Sequence, residues 1–191
     1  MQNRPIGIFD SGVGGLTVLR AIERILPFEH IIYFGDTARV PYGNKSKATI
    51  IKFSTENILF LLKKEVKIVV VACNTASSLA LDYLKGIFSV PILGVIEAGA
   101  RKAVEVSRTR RIGIIGTRST IASKSYEKEI LRIDKNVCVY SQACPLFVPF
   151  VEEGILQGRL IEQLIALYLH EFKRKHIDTL ILGCTDRKSV V

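Results

Sequence analysis

The sequence predicts an α/β protein built from two pseudo-symmetric, largely parallel, doubly wound sheet domains, with an active site in the cleft between them. Three observations carry this expectation. Short apolar runs alternate along the chain with helical patterns, the arrangement of a parallel sheet covered on both faces. Two of those runs, 67–72 and 179–183, end in a small residue followed by a cysteine and then hydroxyl or amide residues: Cys73-Asn74-Thr75 and Cys184-Thr185. Finally, Ile6-Gly7-Ile8-Phe9-Asp10-Ser11 resembles Ile112-Gly113-Ile114-Ile115-Gly116-Thr117. Two motifs recurring in the same order at nearly the same separation indicate a duplicated unit. The expected domains are 1–97 and 98–191, divided near 94–99, and packing them face to face would bring Cys73 and Cys184 to one cleft.

Each element follows from its pattern. Strand-like runs fall at 6–9, 31–34, 68–71, 91–95, 112–115, 137–140 and 180–182. The first helix keeps Leu16, Leu19, Ile22 and Leu26 on one face and stops at Pro27. Ser46 is placed to cap a second helix that runs to Lys64. Further helices are expected at 75–86, 98–107, 120–133 and 159–175.

Composition narrows the classes. The 191 residues are 48% hydrophobic, enough for well-filled cores, yet no apolar run approaches the ~20 residues that cross a bilayer. Met1-Gln2-Asn3-Arg4-Pro5 leads straight into a strand and has no signal-peptide pattern. The four cysteines, at 73, 138, 144 and 184, lack close-paired metal spacing and read as reduced thiols of a cytoplasmic protein. The net charge of +9 invites a nucleic-acid reading, but the basic residues are scattered at element edges and no recognition motif accompanies them. Solvated helix faces account for them.

The chemistry-bearing residues cluster at strand ends, where open α/β sheets bind ligands. A thiol at the start of a helix meets the positive end of the backbone dipole, which favours thiolate. Asp10-Ser11-Gly12-Val13-Gly14-Gly15 brings glycines and helix-start amides beside an acid. Its spacing is not that of a dinucleotide fingerprint, and no Walker lysine follows, so a carboxylate-binding loop fits better. Pro41 and Gly43 shape the loop 36–43, in which Tyr42 offers amide and hydroxyl donors. Glu152 stands among apolar neighbours, where burial would favour its protonated form, although taken alone it reads as a helix-end carboxylate. Cys138 and Cys144 read as packing thiols, and His30, His170 and His176 as surface residues. No lysine lies in a Schiff-base motif, and neither a metal nor an organic cofactor is expected.

Together these stretches resemble the glutamate racemases of the cofactor-independent aspartate/glutamate racemase superfamily. The resemblance rests on Phe9-Asp10-Ser11-Gly12-Val13-Gly14-Gly15-Leu16-Thr17, Tyr33-Phe34-Gly35-Asp36, Val40-Pro41-Tyr42-Gly43, Ala72-Cys73-Asn74-Thr75-Ala76, Gly94-Val95-Ile96, Ile115-Gly116-Thr117, Cys144-Pro145-Leu146-Phe147-Val148-Pro149 and Gly183-Cys184-Thr185. It implies a two-base interconversion of L- and D-glutamate that supplies D-glutamate for peptidoglycan. Cys73 and Cys184 match the two catalytic thiols, and Asp10 and Glu152 match the acids that assist them. Asp10, Ser11, Pro41, Tyr42, Gly43, Asn74, Thr75, Thr117 and Thr185 match substrate-binding positions. The resemblance also implies a homodimer in the cytoplasm, with no membrane partner; association with DNA gyrase or nucleic acid has only the overall charge behind it. An aspartate or hydantoin racemase of the same superfamily, or a non-catalytic binding protein, are the alternative readings. After Thr185 the chain departs from the family pattern: Asp186 stands where a histidine is expected, and the returning C-terminal elements have no counterpart. The expectation is therefore a truncated and weakly active racemase.

Overall fold

A computed structural model describes residues 3–185, and these form two compact units that meet in sequence at Val95 and Ile96. The expectation concerning Asp186 lies outside the described residues.

In the first unit the chain runs β1 (Ile6–Asp10), α1 (Leu16–Ile25), β2 (Ile31–Gly35), α2 (Lys47–Leu62), β3 (Ile68–Val71), α3 (Asn74–Leu79), α4 (Leu81–Ile87) and β4 (Ile92–Gly94). The four strands form one parallel sheet in the order β2-β1-β3-β4. Every residue of β1 is buried, as its unbroken apolar run requires of a central parallel strand. One face carries Phe9, Val69, Val71 and Ile92 against α2, α3 and α4, with Ile50, Ile58 and Leu61 fully enclosed. Each such Ile or Leu contributes about 1.5–3 kcal/mol relative to exposure. On the other face Ile6, Ile8 and Ala72 pack against Val18, Leu19 and Ile22 of α1. Ser46 caps α2 as the sequence indicates, its Oγ accepting from the Thr49 amide at 3.2 Å.

The second unit contains α5 (Val95–Val106, starting at the junction), β5 (Arg111–Gly116), α6 (Arg118–Ala122), α7 (Ser125–Ile133), β6 (Cys138–Ala143), α8 (Phe147–Glu152), α9 (Arg159–Arg174) and β7 (Thr179–Gly183). Its parallel sheet has the order β6-β5-β7. The two units share a pattern. In each, the first strand lies in the middle, pairs with the second and third strands on either side, and a cysteine follows the third. That is the arrangement a duplicated unit would produce.

Two expected helices differ, and one helix is additional. The helix predicted over 75–86 divides at Ala80, whose φ of −114° departs from the regular helical value near −63°. The helix predicted over 120–133 starts earlier, at Arg118, and breaks at Lys124, which adopts a left-handed φ of 56°. The helix over 147–152 has no counterpart among the expected elements, and it contains Pro149. The proline falls within the first turn of α8, where the amide it lacks has no intrahelical partner to lose.

One polar clasp fixes the start of β7. The Asp178 carboxylate accepts from the amides of Arg108 and Thr109, each at 2.6 Å, and from the Ser107 hydroxyl at 2.7 Å. These bonds, the Thr109 amide first and the Ser107 hydroxyl second, hold its pKa well below the usual carboxylate range. A carboxyl depressed in the folded state contributes stability that is complete above the unfolded pKa, about 4, and is lost as pH falls further. Asp178→Asn is therefore expected to flatten the decline of melting temperature between about pH 4 and pH 2, the range below the unfolded carboxyl pKa. A wild-type and variant decline of equal slope would contradict this.

Candidate active site

The carboxyl ends of β1, β2 and β3 bring the first unit's candidate residues together. Asp10 ends β1 fully buried, and its Oδ2 accepts from the amides of Gly12 and Gly15, both at 3.1 Å. Two of the loop amides that the sequence offered to a ligand anion are thus bound by the protein's own carboxylate. The glycines make this possible. A Cβ on Gly15 would sit 2.5 Å from the Asp10 Cβ, and one on Gly35 would sit 2.5 Å from the Gly12 carbonyl oxygen. The Tyr33 hydroxyl closes the loop by donating to Gly12 O at 2.7 Å.

Beside this loop, Cys73 follows β3 and stands at the N-cap of α3, buried, with its Sγ donating to Ser11 Oγ at 3.4 Å. Asn74 and Thr75, the first residues of α3, are buried with it. Ser77 adds an anchor, donating to Val71 O at 2.8 Å and accepting from the Val95 amide at 3.3 Å. Pro41, Tyr42 and Gly43 come from the segment after β2. Val40 lies against Gly12, since a Cβ there would be 3.4 Å from Val40 Cγ1. Tyr42 joins the same core cluster as Cys73 and Ala76. The structure therefore gathers Asp10, Ser11, Tyr42, Cys73, Asn74 and Thr75 at one sheet edge.

In the second unit, Cys184 and Thr185 follow β7 and are buried. Whether a helix begins after Cys184 lies outside the described residues. Thr117 follows β5, and its Oγ1 caps α6 by accepting from the Thr120 amide at 3.2 Å. Glu152 ends α8 and is exposed, the helix-end carboxylate that its sequence setting alone suggests. Cys144 is a packing thiol as expected, fully buried, with Sγ donating to Gln142 O at 3.5 Å. Cys138 is not: it is exposed, where it opens β6, which among the described residues is an edge strand of its sheet. His30, His170 and His176 are exposed, as read from the sequence. Among the described residues no group of three or more His, Cys, Asp or Glu side chains could hold a metal ion, and no helix is long and apolar enough to cross a membrane.

Sequence reasoning missed two groups. The Tyr126 ring fills a slot between Gly99 and Gly183, where added Cβ atoms would lie 3.1 and 3.4 Å from it. Burial, and secondarily the charge of Cys184, push its pKa far up. The second group is Asp36, Arg39 and Asn57, which surround the Tyr42 hydroxyl. A signal for Asn57 was available: an amide on the stripe Ile50, Ser54, Ile58 and Leu61, all of it buried, needs a polar partner.

In each unit a parallel sheet is followed, after its third strand, by a buried cysteine: Cys73 in the first and Cys184 in the second. The chain belongs to the Asp/Glu/Hydantoin racemase family, whose profile it matches over residues 6–190. A glutamate racemase of Chlorobium phaeobacteroides is 53% identical over 182 residues, covering 95% of this chain and 67% of that protein. A crystal structure of glutamate racemase from Francisella tularensis in complex with D-glutamate matches at a TM-score of 0.92 and 44% identity, over 100% of this chain and 72% of the other. The Aquifex pyrophilus glutamate racemase structure matches at a TM-score of 0.83 and 50% identity, over 97% and 75% of the two chains.

Proposed function

We propose that this chain is a glutamate racemase that interconverts L- and D-glutamate through two thiols, with no pyridoxal or metal cofactor. The observation that carries the reading is the strand-end group around Cys73, found in a chain about half identical to proteins named glutamate racemase. In each direction one cysteine, as thiolate, removes the α-proton from one face of the substrate. The other, as thiol, donates a proton to the opposite face. The reaction needs two groups of similar acidity, and two cysteines supply them. Asp10 and Glu152 are assigned as the acids that assist the thiols. Ser11, Pro41, Tyr42, Gly43, Asn74, Thr75, Thr117 and Thr185 are assigned to the substrate, Tyr42 through its backbone amide, and together these amides and hydroxyls stabilise the charge that develops as the α-carbon loses its proton. The product serves peptidoglycan synthesis in the cytoplasm, and the working form is a homodimer.

Turnover in D₂O tests the reading. Starting from either enantiomer of glutamate, the opposite enantiomer is expected to carry deuterium at Cα, with aspartate turned over far more slowly. Product without deuterium at Cα, or aspartate as the better substrate, would contradict the assignment.

A further inference from the structure

We propose that Asp36, Arg39 and Asn57 form a positioning network that holds the loop 40–43 through the Tyr42 hydroxyl, making that phenol an anchor of the loop and not a contact to substrate. The inference rests on the racemase reading given above.

The geometry is a closed ring of hydrogen bonds. The Tyr42 hydroxyl donates to the Asp36 carboxylate and accepts from Asn57 Nδ2 at 3.1 Å. Arg39 Nε donates to Asp36 Oδ1 at 2.9 Å, and its Nη2 donates to Asn57 Oδ1 at 2.9 Å. A tyrosine hydroxyl has one proton to give, and here it is given inward. Asp36, Tyr42 and Asn57 are each no more than 4% exposed. Burial, and then the bond to Asp36, push the Tyr42 pKa far above its ordinary value, so the phenol remains a donor throughout the working pH range.

The ring is fastened at both sides. The Asp36 amide donates to Asp10 O at 3.0 Å, which ties the loop's first residue to the end of β1. The Arg39 guanidinium lies 4.2 Å from the centre of the Phe53 ring and also pairs with Glu56 on α2. A buried and satisfied polar network of this kind specifies one conformation, and removing any member leaves the others unpaired. The loop it fixes is the one that sets Val40 against Gly12 and places Tyr42 in the cluster with Cys73.

A double-mutant cycle with Tyr42→Phe and Asp36→Ala separates an anchor from a substrate contact. Each single variant is expected to raise KM for glutamate about tenfold with kcat within about twofold, the effect of losing one hydrogen bond to a charged group. Because both break the same ring, the double variant is expected to match either single variant. Asn57→Ala repeats the cycle from the other side of the ring and keeps the test decisive should Asp36→Ala not fold. Amide hydrogen exchange gives a readout that needs no turnover: the amides of 42–45 exchange faster in each variant, while those of β1 and α3 do not change. Multiplying effects in the double variant, or exchange at 42–45 equal to the parent, would overturn the proposal. A parent that binds and racemises no glutamate would count against the racemase reading alone, with exchange still deciding the network.

Discussion

Cys73→Ser and Cys184→Ser are each expected to reduce racemisation in both directions by about a thousandfold, within the range that a positioned proton-transfer group contributes. The physical reason is acidity. A free thiol ionises near pH 8.5, within reach of modest perturbation, whereas a serine hydroxyl does not become an alkoxide near neutrality. Loss is expected in both directions because the proposed mechanism uses each thiol as the base for one enantiomer and the acid for the other. The packing of Cys73, buried beside Ser11 with Sγ 3.4 Å from its hydroxyl, accommodates the smaller oxygen, so unfolding does not explain the loss. Chiral separation of the products together with a melting curve checks both statements. A single variant that racemises normally would remove that cysteine from the mechanism.

Asp10→Ala is expected to lower stability by about 2–6 kcal/mol and to abolish turnover. The fully buried carboxylate satisfies the Gly12 and Gly15 amides, and each buried donor left without a partner costs about 1–3 kcal/mol. Alanine would also release the loop that carries Ser11 toward Cys73. Asp10→Asn isolates the charge, because one amide oxygen can accept the same two bonds. It is expected to retain most of the stability while still losing turnover. Urea unfolding of the two variants checks the difference, and equal destabilisation would show that the charge, not the loop's hydrogen bonds, holds this corner.

The fold was largely legible because central parallel strands write themselves as unbroken apolar runs. β1 and β5 are read directly from Ile6-Gly7-Ile8-Phe9 and Ile112-Gly113-Ile114-Ile115, and the matching strand orders follow from the repeated motifs. What periodicity could not supply were local interruptions. Ala80 and Lys124 divide helices without any breaker residue, and Pro149 sits inside a helix at a position that tolerates it. Cys138 was misjudged because cysteine type alone says nothing about which strand lies at a sheet edge.

Within the site, Asp10, Ser11, Cys73, Asn74 and Thr75 could be found because each follows an apolar run, where a parallel sheet delivers its ligand-binding residues. Their pairing was not visible. The sequence offered the amides after Asp10 to a ligand, and the structure gives two of them to Asp10 itself. Likewise the Tyr42 hydroxyl was counted among outward donors, and it turns inward to Asp36. Side-chain hydrogen bonds between distant segments, such as Asn57 on α2 with Tyr42, leave no periodic trace.

The most direct test of two opposed thiol bases uses a β-chloro analogue of glutamate, from which one base can remove the α-proton as chloride leaves Cβ. Elimination by Cys73→Ser and Cys184→Ser is measured on each enantiomer separately. The account predicts that each variant, although unable to racemise glutamate, eliminates HCl from one enantiomer only, and that the two variants choose opposite enantiomers. Both variants acting on the same enantiomer would contradict it.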